Sequence, residues 1–254
     1  ATVTTTATNS WMSASIIAEQ AAATTDAAKE AVALKRAKAL IAAMTLDQKL
    51  QQLTGANPEI PPDMPECYGA RHVTGIAALN IPTFRITNGP VGLGQNDCVD
   101  PKLVTAPGAG PYAAYTDPSS AKATALPSAM AVAASFDPTQ AATFGDVIGT
   151  EMLNLALHEF EAPGMNMARL PILGRNFEYF GEDPFVAGMM SVAEINAIQK
   201  KGLIGMAKHY VGNEQETNRQ TIRENIDHQA LRELYLLPFE MSVKDGKVAS
   251  IMCA

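Results

Sequence analysis

Two Asp-Pro pairs, Asp137-Pro138 and Asp183-Pro184, each open a long run with helical periodicity. An aspartate at that place offers an acceptor to the unpaired N–H groups of a starting helix. The proline that follows has no N–H to leave unpaired and a backbone angle already set for the helix. Between and after these helices lie short apolar runs, "LHEFEAPGMNM", "LIGMAKHYV" and "VASIMC", that read as strands. Strand, helix, strand, helix at these spacings requires parallel strands joined by helical crossovers. An open doubly wound sheet and a closed barrel both satisfy that pattern. No GxGxxG or Walker sequence follows any strand, which removes the usual nucleotide-binding sign of the open form.

The rest of the chain fits around this alternation. Residues 1 to 25, rich in Ala and Thr, read as a mobile lead-in, and the length of the chain allows one large domain or two small ones. Asp26 to Met44 carries apolar residues at three- and four-residue spacing, and Thr45-Leu-Asp-Gln48 has the capping-box pattern of a second helix through Leu53. "TGIAAL" and "TFRIT" read as strands or strand ends. Residues 89 to 125 are too long for an ordinary connection and read as a functional loop or insertion. Asp227 opens a further helix that Pro238 kinks or restarts.

Composition narrows the partners. The 254 residues carry a net charge of −7, and no run of about 18 apolar residues exists to span a bilayer. An acidic chain lacks the surplus of Lys and Arg that phosphate backbones need, so neither nucleic acid nor membrane is expected as a partner. Cys67, Cys98 and Cys253 show no close-spaced pair of the kind that holds zinc. Cys67 and Cys98 pair in an oxidising compartment or stand as two free thiols, and Cys253 reads as a small buried hydrophobe. The N-terminal residues lack a basic segment and apolar core, so they are not a signal peptide as written. A start on Ala suits a mature protein whose signal was removed, and the expected location is secreted or periplasmic.

Polar residues gather at the carboxyl ends of the apparent strands: Asn88 after "RIT", Asn166 and Arg169 after "EFEAPGM", Lys208-His209 after "IGMA". In a barrel such positions bind or react. Burying a lysine costs several kcal/mol unless it is paired, and Glu214 or Glu216 is the expected partner of Lys208. A Lys-His pair at a strand end also serves as a brace between strand and loop. Arg175, among glycine, asparagine and aromatics, either presents its donors to a hydroxyl-rich ligand or braces its loop against Glu178 or Asp183.

Together the stretches "RAKALIAAMTLDQKLQQLTG", "RITNGPVGLG", "ALPSAMAVAASFDPTQAATFGDVIGTE", "APGMNMARLPILGRNFEYFGEDPFVAG", "AKHYVGNEQE" and "ALRELYLLPFEMSVKDGKVASIMCA" closely resemble glycoside hydrolase family 3, the β-glucosidase and β-xylosidase family, in the family's order. The resemblance covers Arg36 to Ala254, and it implies that residues 26 to 254 are the N-terminal part of the family's (β/α) barrel. It implies a (β/α)8 TIM-like barrel, incomplete in this chain, with the last strands and a second domain beyond Ala254. It also implies that Asn88, Arg175, Lys208, His209 and Met252 line the subsite of the terminal sugar. The activity implied is retaining hydrolysis of terminal non-reducing β-D-glucosyl residues, without metal or cofactor. The substrates would be a β-linked oligosaccharide or an aryl or alkyl β-glucoside, and this chain would supply the glycone-binding half-site.

The departures from the family pattern matter. Asn88 stands where the family has Asp, so either glycone preference is altered or another carboxylate compensates. The family's nucleophilic Asp and acid/base Glu fall beyond Ala254, so the remainder of the enzyme polypeptide is an expected partner. If the nucleophile lay inside these residues, Glu178, Glu214 and Glu216 would be the first candidates. The loop "YVGNEQETNRQ" lacks the His of the N-acetylhexosaminidase branch. Alternatives are β-xylosidase specificity, a carbohydrate-binding pseudo-enzyme, and an aldolase-like lyase with Lys208 as Schiff-base lysine.

Overall fold

The computed structural model describes residues 10–54, 71–94 and 123–254. Cys67, Cys98 and most of the 89–125 stretch lie outside the described residues. The described residues form two compact units. One comprises 10–54 and 72–84; the other comprises 85–94 and 123–254, together with Arg71.

The first unit is a set of capped helices. A 3-10 turn over Ser10–Met12 precedes α1 (Ala14–Ala22), so an ordered helix occupies part of the stretch read as a lead-in. Helix α2 spans Asp26–Ala43 behind an N-cap at Thr25, and α3 (Leu46–Gln52) carries the complete Thr45–Gln48 capping box. An ion pair of 2.6 Å from Lys35 to Glu19 joins α2 to α1. Gln51 and Gln52 both donate to the carbonyl of Thr74, just after the short strand β1 (Arg71–Val73). The "TGIAAL" stretch is not a strand: Ala77–Leu79 form a 3-10 turn, closed by an antiparallel bridge between Ile76 and Ile81. Asn80, in the left-handed region at φ 54°, makes that closure possible.

In the second unit the alternation appears as expected. Strands β2 (Phe84–Asn88), β3 (Glu159–Glu161), β4 (Ile204–Tyr210) and β5 (Ser250–Cys253) pair in chain order, each parallel to the next. Helix α4 (Ala129–Ala133) is capped by Ser128, α5 (Pro138–Asn154) by Asp137 and α6 (Pro184–Gln199) by Asp183. After Asp227 a helical turn widens into a π-helix over Leu231–Tyr235. Helix α7 (Leu237–Lys244) restarts with Pro238 in its first turn, where no N–H is missed. Cys253 is exposed rather than buried, because β5 lies at the edge of the sheet among the described residues.

The core lies on one face of this sheet. Phe160 of β3 packs with Ile148 and Met152 of α5 and with Met190 and Ile198 of α6. The pleat then sends Glu159 and Glu161 to the opposite face, along with their register neighbours Ile86 and Asn88. Arg85 is buried and donates to the carbonyls of Leu155 (2.6 Å) and Ala156 (3.0 Å), tying the end of α5 to β2. Helices α5 and α6 approach closely at Gly145, where an added Cβ would sit 2.6 Å from the carbonyl oxygen of Glu194. Glu194 itself is fully buried on α6, and burial pushes its carboxyl up to about 8.

Two outcomes follow from this packing. Gly145→Val drives a side chain into the α6 backbone and lowers stability by about 1–3 kcal/mol, measured by urea denaturation. Glu194 stays protonated in the fold but ionises in the unfolded chain above about pH 4.5. Its contribution is therefore complete below pH 4.5 and lost as pH rises toward 8. Denaturation of Glu194→Gln beside the wild type should show the variant gaining relative stability across that window, by at most about 1.4 kcal/mol per pH unit.

Candidate active site

Four strand ends and one loop meet at the carboxyl edge of the sheet. The centre is Glu178, the last residue of a 3-10 turn (Asn176–Glu178) between β3 and α6, with 2% of its surface exposed. One carboxylate oxygen takes the Nε–H of Arg175; the other lies 3.3 Å from Nζ of Lys208. Lys208 is equally buried and approaches Oδ1 of Asn88 at 3.5 Å. Its expected partner was Glu214 or Glu216, and the structure corrects this to Glu178. The loop after β4 turns those two carboxylates elsewhere. Glu214 Oε1 accepts the backbone N–H of Met167 at 3.0 Å, and Glu216 bridges Arg175 (3.5 Å) and Arg219 (3.0 Å).

His209 completes the cluster from the other side. The Lys208–His209 peptide is cis, and the β4–β5 register is irregular between Ala207 and Tyr210. Both side chains reach the Arg175–Glu178 pair. Asn166 holds the His209 backbone at both ends, accepting its N–H at 2.8 Å and donating to its carbonyl at 2.9 Å. Nη2 of Arg175 lies 2.9 Å from Nε2 of His209. A guanidinium only donates, so Nε2 is the acceptor and the proton sits on Nδ1, which donates to Oδ1 of Asn166 at 3.1 Å. The ring of Tyr179 meets the imidazole edge-on, with centroids 6.3 Å apart, and the Tyr179 hydroxyl donates to the carbonyl of Asn213.

Charge and burial set the protonation states. Desolvation, with Arg175 and Lys208 close by, drives the His209 imidazole down to about 3, so the ring is neutral at ordinary pH. Desolvation also lowers Lys208, while the negative charges of Glu178 and Glu161 work to keep its proton on. Burial raises Glu214 to about 7, against the pull of the Met167 amide. Tyr179 is pushed upward by burial and by the charge of Glu178, and it stays a neutral phenol.

The sequence-derived set thus divides. Asn88, Arg175, Lys208 and His209 converge on one network. Met252 of β5 lies on the same face as Lys208 by alternation from the Met206–Ser250 pair and is half-buried. Arg169 lies apart, with its guanidinium over the Tyr235 ring at 5.9 Å. The sequence marked Glu178 as a brace for Arg175 and, with Glu214 and Glu216, as a candidate carboxylate, and it did not single out Tyr179 or Glu161. The three-residue offset from Arg175 was the one signal for Glu178. Among the described residues no group of three or more His, Cys, Asp or Glu could hold a metal ion. The arrangement offers fixed donors and acceptors in a dry corner, a surface suited to a neutral ligand bearing several hydroxyls.

Comparison with known proteins identifies the relatives of this chain. Residues 118–254 match the model of the glycosyl hydrolase family 3 N terminal domain. The chain is 41% identical over 131 residues to a beta-glucosidase from Ruminococcus albus, covering 52% of this chain and 14% of that protein. It is 30% identical over 217 residues to thermostable beta-glucosidase B of Acetivibrio thermocellus, covering 85% of this chain and 26% of that one. Among solved structures, beta-glucosidase 3B from Thermotoga neapolitana in complex with glucose matches 85% of this chain and 29% of its own, with a TM-score of 0.72 and 29% identity. The chain therefore spans about a quarter or less of the curated relatives named here.

The neutral state of His209 has a direct readout. Its ring resonances in a 15N-resolved NMR titration should hold the neutral Nδ1–H pattern from pH 8 to 5. In linkage terms the unfolded imidazole protonates below about pH 6.5 while the folded one does not. The stability tied to His209 is present above pH 6.5 and is lost as pH falls toward 3.

Proposed function

The chain belongs to glycosyl hydrolase family 3, and from that membership we propose that it forms the glycone-binding half-site of an enzyme hydrolysing terminal non-reducing β-D-glucosyl residues with retention. The observation that carries this reading is the buried Arg175–Glu178–Lys208 network with neutral His209 and Asn88 beside it. A sugar presents hydroxyls and no charge. Donors and acceptors held rigid in a low-dielectric corner orient it and strengthen as charge develops at the anomeric carbon. The glucose bound to the similar Thermotoga neapolitana enzyme supports the choice of sugar. Parallel strands in chain order support a (β/α)8 barrel whose carboxyl edge carries the site.

Each group has a physical part. Lys208 and Arg175 donate to hydroxyls, and Glu178 neutralises both so that they remain preorganised without a ligand. Neutral His209 is set by Asn166 and is oriented toward Arg175. Double displacement needs two carboxyl groups about 5 to 5.5 Å apart, a nucleophile and an acid. We assign neither part to Glu178, Glu214 or Glu216, because each is already engaged: Glu178 by two cations, Glu214 by the Met167 amide, Glu216 by two arginines.

The test is hydrolysis of 4-nitrophenyl β-D-glucoside and β-D-xyloside by the full-length protein. Lys208→Ala and Arg175→Ala, each checked for folding by circular dichroism, should lower kcat/KM on the glucoside by about 10- to 100-fold or more, the worth of a charge-assisted hydrogen bond. Faster turnover of the xyloside would move the specificity, and glucose binding without turnover would support a binding pseudo-enzyme. Unchanged kinetics in both variants would overturn the site.

A further inference from the structure

Lys208 and Arg175 share one carboxylate. Glu178 faces both cations, and while Arg175 also reaches Glu216 at 3.5 Å, the Glu178 carboxylate that meets Lys208 is divided with a second cation. His209 is neutral and Asn88 carries no charge, so neither adds a negative charge beside Lys208. Charges taken out of water need matched partners, and an unmatched ammonium at 2% exposure would be costly.

A second carboxylate is in place. Glu161 ends β3, is 5% exposed, and stands directly opposite Asn88 in the β2–β3 register. Phe160 beside it faces the helices, so the pleat turns Glu161 to the same face as Asn88 and Lys208. Asn88 in turn lies 3.5 Å from Nζ of Lys208, which places the three groups on adjoining strand ends. Glu161 acts electrostatically on Lys208 in the same sense as Glu178.

We propose that Glu161 is a specificity-determining residue of the sugar subsite, accepting a hydrogen bond from a ring hydroxyl that also receives one from Lys208. The inference rests on the glycosidase reading above. A hydroxyl both donates and accepts, so an ammonium and a carboxylate on neighbouring strand ends satisfy one hydroxyl together. A sugar lacking that hydroxyl loses its contacts with the ammonium and the carboxylate together, which is how a site built for a hydroxyl discriminates against its deoxy analogue.

The experiment is a cycle between protein and ligand. The full-length wild type and Glu161→Gln are assayed on 4-nitrophenyl β-D-glucoside and on its 2-, 3-, 4- and 6-deoxy analogues. Glu161→Gln is expected to cut kcat/KM on the parent glucoside by about 10- to 100-fold. On one deoxy analogue the loss should shrink to less than about threefold, because the contact is already gone. Glu161→Asp, which keeps the charge and withdraws it by one methylene, should show the same selectivity with a smaller loss, and it replaces Glu161→Gln if that variant does not fold. An equal loss on the parent and all four analogues, or no loss, overturns the role of Glu161 and leaves the glycosidase reading intact. A wild type inert toward every glycoside overturns both.

Discussion

A single carboxylate with two cations organises this protein's functional edge. Glu178 lies in a dry corner where Lys208 and Arg175 would repel one another, and its two oxygens divide between them. Removing one partner of a buried pair costs far more than the pair itself contributes, because the survivor is left uncompensated. The consequence is rigidity rather than net stability. The 3-10 turn that carries Glu178, the loop that carries Arg175 and the end of β4 that carries Lys208 are mutually located by it. His209 follows, since the guanidinium that Glu178 holds by Nε meets the imidazole through Nη2. The same burial that makes the corner stiff strips the imidazole of its proton.

The fold supplies that dryness by giving the sheet two unlike faces. Phe160 and Gly205 turn toward the helices, and Ile195 of α6 bounds the space beside Gly205. Glu159, Glu161 and Lys208 turn to the other face. β3 is only three residues long, yet two of them are glutamates, a composition no strand buried on both faces by apolar packing would carry. Burial raises the Glu159 carboxyl above the usual carboxylate range, and the Ser250 side chain of β5 works against that shift. Helix α6 adds a cost of its own with the fully buried Glu194, whose carboxyl remains protonated because ionising it at that depth is expensive.

Much of this was readable before any coordinates. The Asp-Pro pairs placed the starts of α5 and α6, Thr45 and Gln48 gave the capping box, and Pro238 marked a helical restart. These signals are legible because they are local: a cap is satisfied within three residues of itself. The "TGIAAL" stretch misled for the same reason in reverse, since its apolar run suits a strand but Asn80 and the Ile76–Ile81 bridge close it into a turn. Cys253 misled because an apolar neighbourhood in sequence says nothing about which strand of a sheet stands at its edge.

The site divides along the same line. The sequence by itself determined which residues are polar at strand ends, namely Asn88, Lys208 and His209, together with an arginine in a loop that must answer to something. Strand periodicity and helix caps are enough for that, because they depend on neighbours a few positions away. Only the tertiary structure decided who pairs with whom. Lys208 meets Glu178, thirty positions earlier in the chain, instead of Glu214 or Glu216 six and eight positions later. It also brings Glu161 across from Asn88. Charge pairing in a buried corner is settled by which strands lie side by side and by the cost of leaving any ion unmatched, and neither quantity exists until the chain has folded.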